Sequence, residues 1–595
     1  MPQPLRPTIL IVALALAVSS AQARLPNVIV ILADDLGYGD LGRYGSTLIK
    51  TPSIDLLAKS GQVFTDAYAP AATCTPSRYS LLTGDYPWRQ KEKQNSILDG
   101  DAPLAIEPGR FTLVTLFKKA GYQTGIVGKW HLGLGDGKTR IDFNGEVKPG
   151  PLEIGFDYSY IIPATVDRVP SVWIENHRVV GLDPTDPIQV SYQKNISQEP
   201  TGLERPDLLR QQADEQHSGG IHNGISRIGY QLGGKVARFI DEELPDTVVA
   251  KSSAFIKANK GKPFFLFVGL FEPHVPRIAK PQFAGSSGTG LRGDVIQQAD
   301  WQVGEILAVL DKYNLADDTI IIFSSDNGPI LFDGYEDRSV EDLRTHSPAG
   351  PFSGGKYLVK EGGCRVPFIV CWPRKIKPGI QSQMVCLTDI LATMASETNQ
   401  KVPENIAIDS IDQLPTFLGA TDKPARTSVV LQGISGAMAL REGDWKFIKA
   451  NADKSINDMG SGAKSTDPRF ALAITKSDLL FNLAQDPGEK QDLSTQFQER
   501  LEAMSNKLKF IQSPPLLELD PDACRVDPSR AGGLRLLLPR WQGRGVICSF
   551  YGGMFGLGFH KNWEPCACET DQTNTRKDQN GRNSAKRGVP LQKPC

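Results

Sequence analysis

Two adjacent carboxylates, Asp34 and Asp35, end the apolar run NVIVILADD, and a second apolar run, DTIIIFSSDNGP, ends in Asp326 and Asn327. Carboxylate and amide oxygens gathered at strand ends suit a hard divalent cation, calcium or magnesium, because such ions take oxygen ligands. The alternative for either aspartate is a capping role. Between the two pairs in the chain lies Cys74, in ATCTPSRYSLLTGDYPWR. Pro76 favours a first helical turn and Gly84 a stop, so the spacing predicts a short helix that starts next to Cys74. Backbone N–H groups at such a start favour an anion. Cys74 is therefore either a small buried hydrophobe, as most cysteines are, or a nucleophile or its precursor facing an anionic group.

The elements that must position these residues read as an α/β protein. NVIVILADDLGYGD, PFFLFVGLFEPHVP and DTIIIFSSDNGP are continuous apolar runs, each ending in polar residues and a turn, as buried strands do. Helical patterns separate them, such as TLVTLFKKAGY with Gly121 as a stop and the segment from Asp294 to Tyr313. Alternation of this kind implies a mostly parallel sheet covered on both faces, with the active site beyond the carboxyl ends of its strands. From about Thr427 the texture changes to short strands, TSVVLQG, AMALREGDWKFIKA and SDLLFNLAQDPGEKQDL, closed by the helical QERLEAMSNKLKFIQ. These predict a smaller antiparallel sheet with a terminal helix. The expected organisation is a catalytic domain over 24–424, this subdomain over 425–515, and an unassigned extension over 516–595. The end of the extension, 571–595, has six Lys or Arg against two Asp and almost no apolar periodicity, so disorder is expected there.

A length of 595 residues favours one large domain plus a smaller one. With 66 Lys plus Arg against 67 Asp plus Glu, no nucleic-acid footprint is expected, and an anionic substrate must be met by local charge. The first 23 residues carry Arg6, an apolar run from Ile9 to Val18 and the small-residue ending Ala21-Gln22-Ala23. That predicts a cleavable secretory signal over 1–23 and a secreted or periplasmic mature protein with no membrane span. Nine cysteines are few for a disulfide scaffold, and their odd number leaves at least one free, modified or paired with another molecule.

CTPSRYSLLTG resembles the signature of the type I sulfatases, Cys-x-Pro-Ser-Arg-x-x-x-Leu-Thr-Gly, and matches it at every fixed position. Further segments resemble that family in its order from about Leu25 to Ser513. They include PNVIVILADDLGYGDLGRYG, TGIVGKWHLG, PFFLFVGLFEPHVP, SSDNGP, GGKYLVKEGGCRVPFIVCWP and LLFNLAQDPGEKQDL. The segments GPLEIGFDY and IIPATVDRVPSVWIENHRVVG most resemble the arylsulfatase and N-acetylgalactosamine sulfatase branch. The resemblance implies an alkaline-phosphatase-like sandwich and hydrolysis of sulfate esters, on sulfated carbohydrate rather than a small aryl ester. It also implies that Cys74 is oxidised to formylglycine by a formylglycine-generating or anaerobic sulfatase-maturating enzyme. The hydrated aldehyde would then attack sulfur and give a sulfated enzyme intermediate.

Carried over position by position, the resemblance makes Asp34, Asp35, Asp326 and Asn327 calcium ligands, with the residue from Cys74 completing the site. Arg78, one helical turn beyond Cys74, would hold the formylglycine. Lys129 and His131 of GKWHLG would lie beside the sulfate and the hydrate. His274 of EPHVP would act as general acid at the leaving oxygen, and Lys356 would contact sulfate and leaving oxygen, with Lys360 close enough in sequence to compete for that role. Some sulfatases have a sulfate-binding serine near IPATVD; here the nearest hydroxyl is Thr165. Asp167, Arg168 and His177 are candidates for reading the sugar, against the alternative of a solvated loop. Two other readings compete: a formylglycine-dependent phosphodiesterase or phosphonate hydrolase of the same superfamily, and a non-catalytic glycan-binding relative.

Overall fold

A computed structural model describes residues 25–90, 97–451 and 475–513. The expected signal over 1–23 and the tail beyond Ser513, with its five cysteines and its expected disorder, lie outside the described residues.

Five parallel strands form the centre of a ten-stranded sheet: β1 (Asn27–Ala33), β2 (Gln123–Lys129), β3 (Tyr158–Ile162), β4 (Phe264–Gly269) and β5 (Thr319–Ser325), in the order β5-β1-β4-β2-β3. The continuous apolar character of β1 follows from burial on both sides. Val28, Val30 and Leu32 enter one core with the helices Leu113–Lys119 and Asp389–Glu397, whereas Ile29, Ile31 and Ala33 enter another with Leu244–Asn259 and Gly290–Lys312. Successive side chains of a strand point to opposite faces, so a strand covered on both sides must be apolar at each position. Phe368–Cys371 pairs antiparallel with β5, and Ile174–Glu175 pairs antiparallel with β3, so the sheet is parallel in its middle and mixed at its edges.

Register brings the carboxyl ends of the central strands level. Ala33 pairs with Ser325, Leu32 with Gly269, and Gly128 with Gly269. The residues that follow, Asp34 and Asp35, Asp326 and Asn327, and His274, therefore meet Lys129 at one rim. Gly128 leaves room for its neighbour at this level: a Cβ on it, at φ 101°, would lie 2.0 Å from the Gly269 carbonyl oxygen. Helix α1 (Cys74–Thr83) points its N-terminus at the same rim, and Gly84 ends it in the left-handed region at φ 71°, as the sequence predicts.

The expected antiparallel sheet is present as β6 (Ser428–Gln432), β7 (Met438–Glu442), β8 (Trp445–Lys449) and β9 (Leu479–Asn482), each pairing with the next. Met504 and Leu508 of the terminal helix, Gln498–Gln512, pack with Leu440 and Phe447 in its core. Among the described residues the cysteines, Cys74, Cys364, Cys371 and Cys386, are all buried and unbridged, and no helix is long and apolar enough to cross a membrane.

Candidate active site

The four predicted oxygen ligands meet at the rim, each almost wholly buried. Asn327 donates its amide N–H to Asp35 Oδ1 at 2.7 Å and to the Gly328 carbonyl at 2.9 Å, which leaves its amide oxygen without a partner. Asp34 Oδ1 is likewise buried and unpartnered. Asp34, Cys74 and Asp326 each bring one ligand atom to within 4.8 Å of the others, and Asp34, Asp35 and His274 do the same. Buried lone pairs without donors are costly, so these oxygens fit a hard divalent cation. Asp35 reaches this position at φ 65°, a left-handed conformation of the kind that concentrates at functional sites.

Cations face the carboxylates from the other side. Lys129 Nζ lies 2.5 Å from Asp34 Oδ2 and 3.8 Å from Asp326 Oδ2. Arg78 donates through Nε to Asp326 Oδ2 at 2.8 Å and through Nη1 to the Lys129 carbonyl at 3.2 Å, while Nη2 is buried without an acceptor. Burial pushes the Asp34 carboxyl well above its ordinary range, and the relief that Lys129 offers is opposed by Asp326 and Asp35. Burial would raise Asp326 too, but there Arg78 and Lys129 win and hold it low. Cys74 Sγ lies beside these carboxylates, within reach of Asp34 and Asp326. Burial raises its thiol pKa, so without oxidation Cys74 is a poor nucleophile.

His131, at φ 56°, bonds Leu98 O through Nε2 at 2.9 Å, and its Nδ1 is buried and unpartnered. Because the carbonyl can only accept, Nε2 carries the proton and Nδ1 is left as a base. Burial, with Lys129 and Arg168 nearby, keeps this ring neutral. His274 bonds Val275 O through Nδ1 at 2.7 Å and points Nε2 toward Asp35 at 3.8 Å. Burial and Lys356 lower its pKa to about 4. Lys356, rather than the half-buried Lys360, reaches the rim: its Nζ lies 2.8 Å from Asp35 and 2.9 Å from Asp333. Burial opposes its charge, but Asp333 and Asp35 more than offset that and raise its pKa well above the usual lysine value.

Asp167 and Arg168 lie in the same basin. Arg168 donates to Thr165 Oγ1 at 2.8 Å and to both Asp167 oxygens, and its Nε is 3.6 Å from Asp99. His217 Nε2 lies 3.7 Å from Asp167. The polar groups of Asp167 and Arg168 are thus held in fixed directions. His177 is not brought to the site. It follows Ile174–Glu175, which runs antiparallel to β3 and carries the chain back toward the amino end of that strand, opposite the rim. There its Nε2 bonds Glu153 at 2.9 Å. Sequence reasoning did not single out Asp333, Asp99 and His217. Each sits in an irregular loop with no periodicity, and only the fold shows what it faces.

A family model described as Sulfatase matches residues 26–422. The chain is 46% identical over 488 residues to an N-acetylgalactosamine-6-O-sulfatase of Bacteroides thetaiotaomicron, covering 82% of this chain and 93% of that protein. It is 30% identical to arylsulfatase A of Bos taurus, covering 81% of this chain and 85% of that one. A solved structure from work on the metabolism of multiple glycosaminoglycans by Bacteroides thetaiotaomicron superposes with a TM-score of 0.78 at 45% identity, covering 82% of this chain and 99% of that one.

Proposed function

This chain belongs to the sulfatase family of sulfuric ester hydrolases, and from that premise we propose that it removes the 6-O-sulfate of N-acetylgalactosamine in sulfated glycosaminoglycans outside the cytoplasm. The observation that carries the reaction is the convergence of Asp34, Asp35, Cys74, Arg78, Lys129, His131, His274, Asp326, Asn327 and Lys356 in one buried rim. The 46% identity to an N-acetylgalactosamine-6-O-sulfatase supports the substrate.

Asp34, Asp35, Asp326 and Asn327 would hold one calcium ion, whose charge would polarise the sulfate oxygens. Formylglycine made from Cys74 would supply, as its hydrate, a nucleophile with a second hydroxyl for the return to aldehyde, which a thiol cannot offer. The rest falls to the side chains. The unpartnered Arg78 Nη2 and the Lys129 ammonium bind and orient the anionic end of the substrate. His131 Nδ1, neutral and unpartnered, takes a proton as base. Lys356, kept charged by Asp35 and Asp333, is a proton donor beside the leaving oxygen. His274 is neutral in the free site, and a bound sulfate ester, being anionic, raises its proton affinity so that it shares the acid role. Asp167 and Arg168 read sugar hydroxyls through groups already fixed in direction.

The test has two parts. In protein from a host that matures sulfatases, the peptide containing Cys74 is expected to be about 18 Da lighter than its thiol form, the difference between a thiol and an aldehyde side chain. That protein should release sulfate from 6-O-sulfated N-acetylgalactosamine faster than from the 4-O-sulfated sugar or an aryl sulfate. A preference for an aryl phosphodiester would overturn this reading in favour of a phosphodiesterase.

A further inference from the structure

Lys356 sits in a loop, residues 353–361, fixed largely from outside. Glu489 Oε2 accepts from Ser353 Oγ at 3.0 Å and from the Glu361 N–H at 2.8 Å, so a single oxygen ties both ends of the loop together. Glu489 Oε1 lies 3.0 Å from Lys446 Nζ, which is also 3.0 Å from Glu361 Oε1. At mid-loop the Ile434 N–H donates to Tyr357 O at 2.9 Å, and the Tyr357 N–H donates to Ala72 O at 2.7 Å. Ala72 in turn donates to Gln432 O at 2.8 Å, two residues before Cys74. Lys446 belongs to β8, Gln432 to β6, and Glu489 follows β9. The smaller sheet therefore grips both the loop that carries Lys356 and the segment that leads into Cys74.

The loop has little slack. A Cβ on Gly362 would lie 2.5 Å from Gly354 O, and one on Gly363 would lie 2.0 Å from Leu358 O, so its two arms are already in contact.

We propose that Glu489 and Lys446 are positioning residues of the active site, which hold the ends of the loop so that the Lys356 ammonium stays against Asp35. This rests on the sulfatase reading above. The test is a double-mutant cycle with Lys356→Ala, read as sulfate release from 6-O-sulfated N-acetylgalactosamine by protein with Cys74 converted. Glu489→Ala is expected to lower kcat about 10- to 100-fold with KM within about threefold, because a misplacement near 1 Å costs rates of that order. In the Lys356→Ala background the same change should cost less than about twofold, since its effect passes through a side chain already removed. Glu489→Gln, which keeps an acceptor for Ser353 and Glu361, should restore most of kcat. If Glu489→Ala does not fold, Ser353→Ala runs the same cycle at about two- to fivefold. Equal factors in both backgrounds, or an unchanged kcat, overturn the positioning role while leaving the sulfatase reading intact. A converted wild-type protein that releases no sulfate from any ester overturns both.

Discussion

The molecule buries charge in two places that solve the same problem differently. Around Glu361, between the main sheet and the smaller one, three acids and three bases alternate. Glu361 faces Lys446 at 3.0 Å and Arg365 at 3.1 Å, Glu489 faces Lys446 at 3.0 Å, and Asp66 faces Arg441 at 2.6 Å and Arg365 at 2.8 Å. At the rim, Asp34, Asp35 and Asp326 crowd one another, and Asp34 Oδ1, Asn327 Oδ1, Arg78 Nη2 and His131 Nδ1 have no partner. Burial pushes both Glu361 and Asp34 upward. At Glu361 the pull of Lys446, Arg365 and Arg441 wins and sets its pKa at about 2; at Asp34 neighbouring acids cancel what Lys129 offers, and the carboxyl ends high. Equal burial thus gives a strut in one place and a binding site in the other. What separates them is the balance of charge: the bases outweigh the effect of burial at Glu361 and do not at Asp34.

Mutations at the two clusters should differ in what they cost. The largest effect belongs to Cys74→Ala, expected to lower turnover by at least ~10³-fold while thermal unfolding stays near wild type. An active variant would detach the rim from catalysis. Glu361→Leu should destabilise by about 3–5 kcal/mol in denaturant unfolding, because it leaves Lys446 and Arg365 short of a buried partner. Asp34→Asn should instead be nearly neutral for the metal-free protein, since it relieves a crowd of acids, yet cancel stabilisation by calcium. That stabilisation should be about 2.7 kcal/mol for wild type at a hundredfold excess of calcium over its Kd. A Glu361 pKa held low means stability that is fully present above the ordinary glutamate range near pH 4.5 and lost as the pH falls through about 2. Unfolding free energy measured over that window should fall less steeply for Glu361→Gln than for wild type. Smallest of all, His177→Ala should leave sulfate release within about twofold and stability within about 0.5 kcal/mol, since its pair with Glu153 is partly solvated.

How much of this was legible in the sequence depended on the distance over which each signal acts. β1 and β5 declared themselves because burial on two faces forces an unbroken apolar run. Helix α1 was marked by Pro76 and Gly84, and β7 and β8 by the change of texture to short strands after Thr427. Asp34, Asp35, Asp326 and Asn327 could be named because they sit where such runs stop. Asp333 could not: its partner Lys356 is 23 residues away along an irregular loop, and nothing local marks the pair. Nor could Glu489 and Lys446, whose meaning depends on two sheets packing together. His177 looked eligible because it is close to Arg168 in sequence, but a reversal of strand direction carries it to the other end of the sheet. Sequence proximity is a poor guide wherever the chain turns back antiparallel.

Helix α1 sets a condition on any oxidation of Cys74. All ten of its residues are buried, Cys74 among them. In the finished fold an oxidising enzyme would find none of residues 74–83 exposed. If Cys74 is to become an aldehyde, the modification must come first, on a chain in which residues 74–84 are still an exposed peptide. Folding then seals the product in place, and a molecule that folds before it is oxidised keeps its thiol.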